Sequence, residues 1–147
     1  MTAEHMGISA EHTRTELRFN GDERLLAGVR GAIEHIGRRH DVADEERIDA
    51  AVAAEQACRK AILQMEDDSL CVVTIDDFED RVEVSVESPR CSGHARRNSP
   101  AENVMALQPD EREAEIKKRV DRADFEASNG RARTTLVKYF HKKPTHS

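Results

Sequence analysis

The chain has 147 residues, 37% of them hydrophobic and 35% charged, with a formal charge of −6. That length suits a single domain with a real core, and the negative charge argues against general affinity for nucleic acid. No apolar run is long enough to span a bilayer, and residues 1–10, acidic and without an apolar centre, do not read as a signal peptide. A cytoplasmic protein with no membrane attachment is expected.

Residues 1–12 are polar and irregular and read as a flexible tail, with a single domain over residues 13–142 and a second tail at 143–147. Thr13 to Phe19 alternates, with Thr15, Leu17 and Phe19 on one face, which predicts an amphipathic strand. Asn20, Gly21 and Asp22 turn the chain into a helix that presents Leu25, Leu26, Val29, Ile33 and Ile36 at three- and four-residue steps. Gly28, Gly31 and Gly37 weaken that helix, and close packing against a neighbour would be a reason to retain them.

Asp44 is expected to cap a second helix running to Met65, with Glu45 and Glu46 in its first turn favouring the positive end of the dipole. Its apolar positions Ile48, Ala51, Val52 and Ile62 recur at helical spacing, and Glu55 and Arg59 fall inside the same stripe. A carboxylate and a guanidinium that face a core must be paired, or hydrated in a pocket. Function is therefore sought there first.

Leu70 to Asp76 is β-branched and predicts a strand, followed by a turn over residues 77–80. Val82, Val84 and Val86 then alternate with Glu83, Ser85 and Glu87, so one sheet face is apolar and one is wet. Residues 89–108 have no clear period and form the one long loop, the usual place for a functional lid. Within it Arg90, His94, Arg96 and Arg97 make a basic patch able to capture a phosphate or an acidic surface, or simply a solvated loop. Cys91 and His94 offer half a metal site with nothing to complete it, so no metal is assigned. Cys58, Cys71 and Cys91 are an odd number at unrelated spacings, which favours reduced thiols.

Pro109 suits the first turn of a third helix reaching about Arg122, with a thin apolar side made of Ile116, Val120 and Ala123. Two strands close the chain around Asn129-Gly130, a strong hairpin signal. Thr134, Thr135, Tyr139 and Phe140 on the last strand read as core, with the Tyr139 hydroxyl reaching an edge. The order β-α-α-β-β-α-β-β predicts an α/β (α+β) two-layer sandwich. Its sheet should be mostly antiparallel and partly mixed, and covered on one face by about three helices.

The helical run Ala54-Glu55-Gln56-Ala57-Cys58-Arg59-Lys60-Ala61-Ile62, the strand pair behind it and the final strand from Gly130 to Lys138 resemble bacterial anti-sigma factors. These are small serine-protein kinases with the Bergerat (GHKL) ATP-binding fold of gyrase-type and histidine-kinase ATPases. The resemblance covers about Thr13 to Lys142. In that family the second helix reads Glu-x-x-x-Asn, the glutamate being the general base and the asparagine the magnesium ligand. Glu55 matches the first position, so it is the one catalytic residue the resemblance implies. Arg59 stands at the second, and a guanidinium cannot coordinate a cation.

The family's Asp-x-Gly-x-Gly corresponds here to Glu87-Ser88-Pro89-Arg90-Cys91. Pro89 lacks the flexibility and the N–H of glycine, and no glycine lies between Gly93 and Gly130 to form a phosphate-cradling lid. Glu55, Arg59, Glu87 and Pro89 would thus be the remnant of a nucleotide pocket. No cofactor is expected, and ATP with magnesium only if the kinase is still active. The resemblance implies binding to a sigma factor, release by a STAS-type antagonist, and pairing as a homodimer, with Arg24, Arg30 and Glu34 as candidate contacts. The alternative is an active serine-protein kinase that phosphorylates such an antagonist. Glu55 and Arg59 also admit a plainer reading, an i,i+4 ion pair beside a partly wet cleft.

Overall fold

The computed structural model describes residues 12–20, 24, 26–65, 69–89 and 109–140. Residues 1–11 and 143–147 of the expected tails, the basic patch, Cys91 and residues 90–108 of the long loop lie outside these residues, as do Gly21, Asp22 and Leu25, whereas His12, expected in the tail, and Pro89, expected in the loop, are strand residues. The elements follow the expected order. They are β1 (His12–Phe19), α1 (Leu26–Arg39), α2 (Asp44–Gln64), β2 (Cys71–Phe78), β3 (Arg81–Pro89), α3 (Pro109–Arg119), β4 (Arg122–Ser128) and β5 (Arg131–Tyr139).

The five strands form one sheet in the order β1-β2-β3-β5-β4, and every neighbouring pair is antiparallel. The expected mixed pairing is therefore absent among the described residues. Its cause is topological. The α3 crossover does return β4 parallel to β3, but β5 pairs with both and separates them. Asn129 and Gly130, both at positive φ, make the tight β4–β5 turn as expected.

One sheet face carries the core. Val73 and Ile75 of β2, Val82, Val84 and Val86 of β3, and Leu136 of β5 are buried beneath α1 and α2 with Val29, Ile33, Ile36 and Ile62. Thr134 is buried with them, Thr135 is half-buried, and Tyr139 is exposed instead of core. The second strand runs two residues further than expected, because Asp77 is a buried strand residue. His40 Nε2 lies 2.5 Å from its Oδ1, and Arg39 also pairs with it. The turn shrinks to Glu79 and Asp80.

The helices differ from expectation in several ways. Arg47 lies against Gly37, but Gly28 and Gly31 face open space, so packing accounts for one glycine of the three. Helix α1 ends in a Schellman motif: Asp41 is left-handed, and the N–H groups of Val42 and Asp41 donate to the carbonyls of Gly37 and Arg38. Ala43, without a side-chain cap, stands at the N-cap of α2, and Asp44 is its first helical residue. The buried face of α2 is made mostly of Ala50, Ala51, Ala53, Ala54, Ala57, Cys58, Ala61 and Ile62, whereas Ile48 is exposed and Val52 half-buried. Small side chains let this central helix approach the sheet and both flanking helices. Helix α3 is anchored by Ile116 and ends at Arg119, before the expected Arg122.

Candidate functional site

Glu55 and Arg59 sit at the rim of the buried face of α2, not in its centre. Their side chains are 18% and 36% exposed. The i,i+4 spacing brings them together, and Arg59 Nη2 donates to Glu55 Oε2 at 3.1 Å. The other carboxylate oxygen is taken by α1, where Arg30 Nη1 donates to Oε1 at 3.2 Å. Arg30 and Arg38 also bridge to Glu34, so the exposed side of α1 is a chain of alternating charge.

A carboxylate with a guanidinium on each oxygen is a poor candidate to hold a divalent cation, and Arg59 offers no lone pair to one. The residues present do not fit a magnesium-bound nucleotide at this point. Among the described residues no group of three or more His, Cys, Asp or Glu side chains could hold a metal ion.

The structure does not bring Glu87 and Pro89 to Glu55. Val82, Val84, Val86 and Ser88 point to the helices, so Glu87 and Pro89 point to the open face of the sheet. There Arg133 Nη2 donates to Glu87 Oε2 at 2.8 Å from the adjacent strand, and Arg131 also pairs with Glu87. Glu55 and Glu87 are thus on opposite sides of the sheet.

The polar residues that do face the helical layer escaped the sequence reading. Helices α2 and α3 run antiparallel and are joined by polar contacts among the described residues. Arg119 pairs with Asp49 at 3.0 Å, Lys60 with Glu113 at 3.6 Å, and Arg112 Nη1 donates to Gln56 Oε1 at 2.5 Å. Below them the Lys60 ammonium lies over the Phe125 ring, 5.4 Å from its centroid. Phe125 pairs across β4–β5 with buried Thr134, which pairs in turn with Val86. Two residues further along β3, Ser88 is fully buried, and its hydroxyl has no hydrogen-bond partner among the described residues. Gln56 and Lys60 were legible as polar residues on an alanine-rich helix, but nothing local identified their partners on α3.

Cys58 and Cys71 are free, buried thiols. Burial pushes both above the usual thiol range, and for Cys58 the neighbouring Cys71 and Glu55 add to the shift. Burial and the upward shift both disfavour the reactive thiolate at neutral pH.

No protein-family model matches the sequence, and no curated protein does. Among solved structures, the chain is similar to a crystal structure of the RsbU and RsbW domains of Rv1364c from Mycobacterium tuberculosis. The likeness has a TM-score of 0.63 at 13% identity, and covers 92% of this chain and 35% of that one. The chain therefore spans about a third of its neighbour. At that identity the likeness establishes a shared fold.

Proposed function

We propose that this chain is an anti-sigma-factor-like regulatory protein of a partner-switching system, acting by binding in place of phosphoryl transfer. The fold shared with a structure that contains an RsbW domain supports the class, as does the sequence resemblance. One observation carries the loss of chemistry: both oxygens of the Glu55 carboxylate are engaged by guanidinium groups, those of Arg30 and Arg59. A general base must reach the hydroxyl it deprotonates, and this carboxylate is held by its own chain.

On this reading the partners are a sigma factor and a STAS-domain antagonist that compete for one surface. Half-buried Arg30 and Glu34 of α1, and exposed Arg24 just before it, are candidate contacts, and a homodimer would present two such surfaces. The protein would act in the cytoplasm, where its partners are.

The test combines affinity purification of the full chain from its native cell with a kinase assay. A sigma factor or a STAS-domain protein should be recovered, and no label should pass from ATP and magnesium to the STAS protein. Recovery of neither partner, or phosphorylation of the antagonist, overturns the reading.

A further inference from the structure

We propose that His40 and Asp77 form a proton-operated latch, in which protonation of the His40 ring fastens the carboxyl-terminal end of α1 to β2. Asp77 is 4% exposed and lies on the same face of β2 as Val73 and Ile75, so its carboxylate is taken out of water. A buried charge needs an opposite charge or hydrogen bonds to compensate it. Two partners from the end of α1 reach it: His40 Nε2 lies 2.5 Å from Oδ1, and Arg39 pairs with Oδ2. These partners differ in surroundings and in chemistry. The Arg39 side chain is 51% exposed and charged at any relevant pH, whereas that of His40 is 19% exposed and charged only when protonated.

The backbone fixes the ring in place. The N–H of His40 donates to the Ile36 carbonyl, and Asp41 then turns left-handed. His40 is thereby held at the negative end of the helix dipole, where a cation is favoured. The ring also packs on Phe140, with 5.4 Å between centroids, and the Phe140 N–H donates to the Asp80 carbonyl at 2.8 Å. One imidazole thus ties α1 to β2 and to the residue that follows β5.

The other charges around the latch do not take its place. Arg38 is paired with Glu34, Arg47 beside Gly37 is paired with Asp44, and Asp80 is paired with Arg81. Lys138 shares the cross-strand row of Asp77 but lies beyond Val82. Asp41, the next residue, carries a negative charge that acts in the same direction as Asp77.

With the ring protonated, the contact is a charge-assisted hydrogen bond, stronger than a neutral one. When the ring loses that proton, Arg39, screened by water, is left to balance Asp77. The contact therefore stabilises the end of α1 at low pH, and that stability is lost as the pH rises through the titration of the ring. The latch rests on this geometry and does not depend on the partner-switching reading.

Amide hydrogen exchange of the full chain, corrected for the intrinsic rate, reads the latch while NMR follows the His40 ring from about pH 5 to 9. Protection at Asp41 and Val42, whose N–H groups close α1, should fall by about tenfold as the ring deprotonates. The fall should share its midpoint with the ring.

His40→Gln keeps a donor without a titrating charge and should flatten the profile. Arg39→Gln should lower protection at every pH and keep the slope. His12→Gln removes the histidine paired with Asp76 on the open sheet face, and should leave protection at Asp41 and Val42 unchanged. If His40→Gln does not fold, the shared midpoint in the wild type decides. Protection that ignores pH, a midpoint away from that of His40, an unaltered profile in His40→Gln, or one abolished by His12→Gln or Arg39→Gln, overturns the latch.

Discussion

The three glycines of α1 have identical chemistry and different surroundings, and substitution should separate them. A Cβ at Gly28 or Gly31 meets nothing within 4 Å, so alanine there gains helix propensity alone. Each change should stabilise the protein by about 0.5–1 kcal/mol in chemical denaturation. At Gly37 a Cβ would stand 2.5 Å from Arg47 Cγ, and Arg47 is mostly buried while paired with Asp44. Gly37→Ala should therefore lose the gain or become destabilising.

Asp76 shows residue-scale electrostatics on the open sheet face. Burial pushes its carboxyl up, but hydrogen bonds from Arg14 and His12, and their charges, outweigh burial and hold it below the usual carboxylate range. A carboxyl depressed in the folded state stabilises the fold above its unfolded value of about 3.9. That contribution is lost as pH falls through the lower folded value. The unfolding midpoint of Arg14→Gln should thus lie below that of the wild type at neutral pH. The gap should close as the pH is taken below about 4. A gap that persists in acid would show that the contact is not electrostatic.

At the scale of elements, α3 is held by one buried apolar side chain and a row of polar ones. Ile116 is fully buried in the core cluster, while Asp49, Gln56 and Lys60 of α2 meet Arg119, Arg112 and Glu113. Ile116→Ala should cost about 2–5 kcal/mol, as expected for removing a buried Ile side chain. Arg119→Ala, which breaks a half-exposed pair, should cost below about 1 kcal/mol. Equal effects in urea unfolding would mean that the polar row, not the isoleucine, docks the helix. Most element types and both β-hairpins were legible from periodicity and turn chemistry. The buried face of α2 was not, because alanine has too little apolar weight to outvote Ile48 and Val52 in a pattern, although alanine fills that face. The Glu55–Arg59 pair was legible from its spacing. Arg30, 25 residues from Glu55, and Arg112, 56 residues from Gln56, were not, since no local signal joins such distant positions. The alternation of β3 already placed Glu87 on the wet face opposite Val86. Grouping Glu87 with Glu55 set that signal aside.

Across the whole molecule, strand order is the feature that sequence conveyed least. Local patterns identify strands, but β5 lying between β3 and β4 is decided by pairings formed only in the complete sheet. Among the described residues no helix is long and apolar enough to cross a membrane. The strand order also governs what truncation does. A chain stopped after Gly130 would strip β4 of its sheet partner and bare the edge of β3, whose Val84 and Val86 are buried opposite Leu136 and Thr134. Such a fragment should be insoluble or lack dispersed amide resonances. A well-dispersed spectrum would show that the first three strands and the helices are self-sufficient. Synthesis delivers the amino-terminal parts first, so β4 leaves the ribosome before the strand that must receive it. Strand β5 is the keystone of the sheet, and the pairings on both its sides can form only once it has itself been made.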